Sequence, residues 1–115
     1  MQPLILIVED EEAIATLLRY NLEREGFKVA VARDGEEGLA ALAEHRPDLA
    51  IVDWMLPYVS GLELCRQIRR RPETHGLPVI MLKRPTLPEV ESAETVDEVL
   101  TWLDHALTFS TTRGV

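Results

Sequence analysis

The sequence predicts a three-layer α/β fold around a central parallel sheet, and three observations carry that expectation. Short continuous apolar runs recur along the chain, segments of helical periodicity separate them, and those segments have readable ends. Apolar runs buried on both faces point to parallel strands, because helical crossovers cover both sides of such a sheet. At 115 residues and 46% hydrophobic, the chain suits one domain with a real core and is too apolar for disorder. That domain is expected over residues 1–109, with 110–115 a frayed tail and no room for a second domain.

The elements follow in order. Leu4-Ile5-Leu6-Ile7-Val8 reads as a buried strand. The next segment is a helix with Ile14, Leu17, Leu18 and Leu22 on its apolar stripe and Gly26 as its stop. Phe27 to Ala32, with Val29 and Val31 alternating, suits a less buried strand. A second helix starts near Asp34, buries Leu39, Leu42 and Ala43, and ends before Pro47. Leu49-Ala50-Ile51-Val52 repeats the strand pattern. A third helix opens on the capping box Ser60-Gly61-Leu62-Glu63, buries Leu62, Cys65 and Ile68, and places Arg69, Arg70 and Arg71 at its negative end. Val79-Ile80-Met81-Leu82 is the fourth strand. Lys83 to Glu94, with prolines at 85 and 88, reads as a loop plus a poor fifth strand at Glu89-Val90-Glu91. A second capping box, Thr95-Val96-Asp97-Glu98, opens a last helix with Val96, Val99, Leu100, Leu103 and Leu107 on one face.

Composition excludes several classes of function. The formal charge of −8 repels nucleic-acid phosphates, so no nucleic-acid partner is expected for this domain. The longest strongly apolar run, Leu4 to Val8, is far shorter than a membrane span, and no basic region precedes an apolar one at the N-terminus. The single cysteine, Cys65, excludes an internal disulfide and fits a cytoplasmic, reducing compartment. Acids outnumber bases by more than two to one over residues 1–57 and nearly balance them afterwards, so a cation site belongs in the first half.

Two strands end in acid: Leu4 to Val8 runs into Glu9-Asp10-Glu11-Glu12, and Leu49 to Val52 into Asp53. In a doubly wound sheet these are neighbouring carboxyl ends, where ligands bind. Carboxylates converging there repel unless a cation intervenes, and Mg²⁺ suits such an oxygen set. A carboxylate held against the cation can act as nucleophile toward phosphorus. The plainer reading gives Glu11 and Glu12 to the helix dipole, Asp10 to an N-cap and Asp53 to a turn. The pairing of two acidic strand ends favours the metal site.

Ile5-Leu6-Ile7-Val8-Glu9-Asp10-Glu11 and Ile51-Val52-Asp53-Trp54-Met55-Leu56-Pro57 resemble the hallmark motifs of response-regulator receiver domains, a flavodoxin-like fold. Ser60 to Cys65 and Leu77 to Leu82 fit the same family, and Asp-Trp-Met-Leu-Pro is similar to receivers of the phosphate-regulon and OmpR type. The resemblance covers residues 4–82. It implies a two-component phosphoacceptor module that is not an enzyme, with Asp53 taking phosphate from a histidine kinase or a small phosphodonor. It implies Mg²⁺ held by Glu9, Asp10, Asp53 and the backbone carbonyl of Met55, with Pro57 and Gly61 shaping the adjacent loop.

Residues 83–109 depart from that pattern as a divergent loop, short strand and final helix. Receivers carry Thr or Ser after the fourth strand, where this chain has Lys83, and their switch aromatic and Lys-Pro pair are not recognisable here. Lys83 either contacts the phosphoryl group in place of the missing lysine, or belongs to a Lys-Pro-like motif brought forward by loss of a helix. Otherwise it solvates a loop, or starts a segment from another α/β protein. The alternative function is therefore a pseudo-receiver or a recombined flavodoxin-like chimera without phosphotransfer. Loss of an element would open a sheet edge, which favours a homodimer. His45, His75 and His105 share no metal-ligand spacing and are expected at the surface; Cys65 is expected as a small core residue.

Overall fold

In the computed structural model, residues 2–82 and 91–93 are described. Five parallel strands, β1 (Leu4–Val8), β2 (Lys28–Ala32), β3 (Leu49–Asp53), β4 (Val79–Leu82) and β5 (Glu91–Ala93), form one sheet of order β2-β1-β3-β4-β5. The helices are α1 (Glu12–Arg24), α2 (Gly35–His45) and α3 (Gly61–Arg70). The strand order reverses between the paired strands β1 and β3, so the connections leaving their carboxyl ends run to opposite faces of the sheet and open the crevice expected there. The fifth strand falls two residues later than Glu89-Val90-Glu91. Lys83, the segment up to Val90, the helix expected from Thr95 and the tail lie outside the described residues.

Strand alternation sends residues to two cores. Ile5, Ile7, Leu49, Ile51, Ile80 and Leu82 meet Leu18 and Leu22 of α1, with Ile14 and Val29 packed alongside. Leu6, Val8, Ala50, Val52, Val79 and Met81 meet Leu42 of α2 and Leu64, Cys65 and Ile68 of α3. Both faces of β1 and β3 are covered, as their unbroken apolar runs require. Edge strand β2 is only partly buried.

The helix ends are set locally. Gly26, at φ +94°, follows α1 in a backbone conformation that side chains disfavour. Asp34 caps α2, its Oδ1 accepting from Glu37 N–H at 2.8 Å. Ser60 caps α3 in the same way, Oγ accepting from Glu63 N–H at 3.1 Å. At the far end of α3, Arg69 donates to the carbonyls of His75 (3.2 Å) and Leu77 (2.7 Å), fastening the turn into β4.

Three helix faces differ from the sequence expectation. In α1, Ala15 is buried and Leu17 is 52% exposed. In α2, Ala43 is exposed while Gly35 and Gly38 face inward, Gly38 lying close over Val8. In α3, Leu64 is fully buried and Leu62 only half-buried. Each is a rotation of the stripe by about one residue, which brings the helix axis nearer the sheet wherever a small residue permits it.

Candidate functional site

The ladder itself assembles the site. Val8 pairs with Ala32 on one side and with Val52 on the other, so Glu9, Arg33 and Asp53 come level across three adjacent strands. Glu9 N–H still donates to Ala32 O at 3.0 Å, which carries that level past the end of β1. By alternation Glu9 and Asp53 extend the rows of Ile7 and Ile51 that face α1.

Oxygens of Glu9, Asp10 and Asp53 lie within 4.8 Å of one another. Glu9 and Asp53 are each 1% exposed, whereas Asp10 faces solvent. Two backbone amides orient the buried pair: Glu11 N–H donates to Glu9 Oε2 at 3.1 Å, and Met55 N–H to Asp53 Oδ1 at 3.3 Å. Burying two like charges side by side is costly without a counter-charge, and an all-oxygen donor set with one open flank fits a hard divalent cation. Glu9, Asp10 and Asp53 thus come together as the sequence anticipates. The N-cap of α1 is Glu11, with no side-chain cap bond, so Asp10 is not the cap. Met55 lies on the loop after β3, its side chain 72% exposed.

That loop is tightly built. Trp54 N–H donates to Leu82 O at 3.2 Å, and Gly61 N–H donates back to Trp54 O at 3.1 Å. A Cβ on Gly61 would collide with the backbone carbonyl of Asp53, so only glycine lets α3 begin this close to the site. Between them, Val59 N–H donates to Pro57 O at 2.8 Å around Tyr58 at φ +67°, which makes a γ-turn of the rarer, strained hand. Tyr58 is 90% exposed. Sequence reading passed over Tyr58, because residue type alone gives no sign of a positive φ in a bulky side chain.

Arg33 is the other residue that sequence reading did not single out. With Glu9, Asp10, Glu12, Arg19 and Glu37 it lines a cavity of ≈ 250 Å³ beside the carboxylates. A larger cleft of ≈ 770 Å³, between Arg46 and Pro78, lies at the amino-terminal edge of the sheet, away from these acids and from the edge where such sheets bind ligands. His45 and His75 are exposed, and His105 lies outside the described residues. Cys65 is buried in the α3 core, and that burial pushes its thiol up to about 11 although nearby Arg69 pulls the other way. No helix among the described residues is long and apolar enough to cross a membrane.

Comparison with known proteins places this geometry among relatives. The family described as response regulator receiver domain matches residues 5–94. The phosphate regulon transcriptional regulatory protein PhoB of Rhizobium meliloti (strain 1021) is 61% identical over 82 residues, covering 71% of this chain and 36% of that protein. The alkaline phosphatase synthesis transcriptional regulatory protein PhoP of Bacillus subtilis (strain 168) is 48% identical over 82 residues, covering 71% of this chain and 33% of that protein. This chain thus spans about a third of the length of these curated relatives. Among solved structures, a CheY-like response regulator receiver domain protein from Methanospirillum hungatei JF-1 superposes with a TM-score of 0.85 at 25% identity, covering 98% of this chain and 99% of that one.

Proposed function

The chain belongs to the response regulator receiver domain family, and from that premise we propose that Asp53 is its phosphoacceptor. The observation that carries the proposal is the convergence of Glu9, Asp10 and Asp53 oxygens within 4.8 Å at the carboxyl ends of β1 and β3. The donor is a phosphohistidine of a partner kinase or a small acyl phosphate. One Asp53 carboxylate oxygen attacks phosphorus, the bond to the donor's imidazole nitrogen or carboxylate oxygen breaks, and that leaving group departs with the bonding pair. The product is an acyl phosphate on Asp53.

Glu9, Asp10, Asp53 and the Met55 carbonyl are the residues that would hold Mg²⁺, which supplies the positive charge an incoming phosphoryl group needs in this acidic crevice. The Met55 N–H, already 3.3 Å from Asp53 Oδ1, keeps the carboxylate turned toward the crevice. Glu9, held by the Glu11 amide, fixes the inner wall. The module takes up one phosphoryl group and does not turn over substrate. The net charge of −8 supports a role that does not hold nucleic acid directly. Lys83, next after β4 in the sequence, remains the candidate phosphate contact.

The test is intact mass after incubation with acetyl phosphate, with and without Mg²⁺, beside Asp53→Asn. The expected result is a Mg²⁺-dependent gain of one phosphoryl group that the variant lacks. A folded, Mg²⁺-binding protein that gains nothing overturns the proposal.

A further inference from the structure

Arg33 stands level with Glu9 and Asp53 in the ladder, one strand beyond Glu9, and its side chain lines the cavity that Glu9 and Asp10 also line. Strand spacing puts its backbone about 10 Å from that of Asp53, and an extended arginine covers more than half of that distance. Two cations, Arg19 and Arg33, line this cavity among the described residues. Arg19 is engaged along its own helix, Nε donating to Glu23 at 3.4 Å. Arg33 is held differently. Its backbone N–H is pinned to Glu37 Oε1 at 2.9 Å, while its guanidinium is 3.9 Å from Glu12 with both side chains mostly exposed. Such a pair is worth little and yields readily to a stronger anion. The backbone is therefore fixed and the charge is available.

A small phosphodonor is a dianion and must reach Asp53, whose oxygens lie with those of Glu9 and Asp10, past a cavity lined by Glu9, Asp10, Glu12 and Glu37. Resting on the reading of Asp53 as acceptor, we infer that Arg33 is the donor-selecting residue of this site: it draws dianionic phosphodonors to the crevice and favours them over donors of lower negative charge. The attraction acts through space at the rim and needs no contact with Asp53.

The experiment compares initial rates of Asp53 phosphorylation in Mg²⁺ by acetyl phosphate and by phosphoramidate, whose net charge is less negative, for the unmodified chain, Arg33→Gln, Arg33→Lys and Arg33→Glu. Arg33→Gln should slow acetyl phosphate by roughly two- to fourfold, as expected for one charge at this range, and Arg33→Glu by roughly the square of that factor. Phosphoramidate should slow less, Arg33→Lys should keep the unmodified donor preference, and high salt should erase the differences. Mg²⁺ affinity, measured by thermal shift, should not fall in Arg33→Gln, because removing a nearby cation does not oppose metal binding. An unmodified chain that is phosphorylated while Arg33→Gln keeps its rate and donor ratio overturns this inference alone. Equal, salt-insensitive slowing with both donors also overturns it. An unmodified chain that accepts phosphate from neither donor defeats the acceptor reading and this inference together.

Discussion

Asp53→Asn should make the metal-free protein more stable, even though it removes the residue on which the proposed function depends. The carboxylate oxygens of Glu9, Asp10 and Asp53 lie within 4.8 Å of one another, and Glu9 and Asp53 are both buried. At an effective dielectric constant near 20, two unit charges at that separation repel by about 3.5 kcal/mol. Asp10 faces solvent, so its share is screened, and the Glu9–Asp53 pair dominates. The amide that replaces Asp53 keeps an oxygen for the Met55 N–H, so that hydrogen bond is retained. Relaxation of Glu9 in the native protein takes back part of the gain, which leaves about 1–3 kcal/mol. Urea unfolding in EDTA, followed by far-UV circular dichroism, should show the variant's midpoint higher by about 1–2 M with an unchanged slope. Saturating Mg²⁺ should then close or reverse the gap, because at about a hundred times its dissociation constant a ligand adds about 2.7 kcal/mol to the form that binds it. A variant no more stable than the parent in EDTA would refute the claim that these carboxylates strain the fold.

Two further outcomes follow from other residues. Tyr58→Gly should stabilise the protein by about 1 kcal/mol in the same unfolding assay, since relief of the positive φ outweighs the extra chain entropy of glycine; a loss of stability would mean that the exposed ring makes contacts that hold the loop. Cys65, with its thiol pushed up to about 11 from 9.0, contributes stability that is complete below the unfolded value. The unfolded chain ionises first, so stability should fall as pH rises from 9.0 toward about 11, by about 1.4 kcal/mol per pH unit within that window. Cys65→Ala should flatten that part of the curve, and the native thiol should resist alkylation at neutral pH until the protein unfolds.

The strands were legible because burial on both faces leaves an unmistakable signature: Leu4 to Val8 and Leu49 to Val52 carry no polar residue for solvent. The acids that break those runs, Glu9 and Asp53, announced a site for the same reason, since a charge at the end of a buried strand needs a purpose. The capping residues Asp34 and Ser60 were equally plain, because a cap is satisfied within a few residues of itself. Helix faces were read less well. Leu17 sits beside Leu18, and Leu62 two residues before Leu64, and which leucine of each pair points inward depends on how closely the helix can approach the sheet. At α2 that approach was set by Gly38 against Val8, a contact between elements that local pattern does not record.

Local sequence was enough for the elements from β1 to β4, their order and the carboxylates at two strand ends, because each is governed by interactions within a short stretch of chain. Only the tertiary structure decided that Arg33 stands level with Glu9 and Asp53, that Gly61 lies against the Asp53 carbonyl, and that Tyr58 takes a positive φ. Those facts depend on strand register and on the closeness of packed backbones, which come into being when distant segments meet.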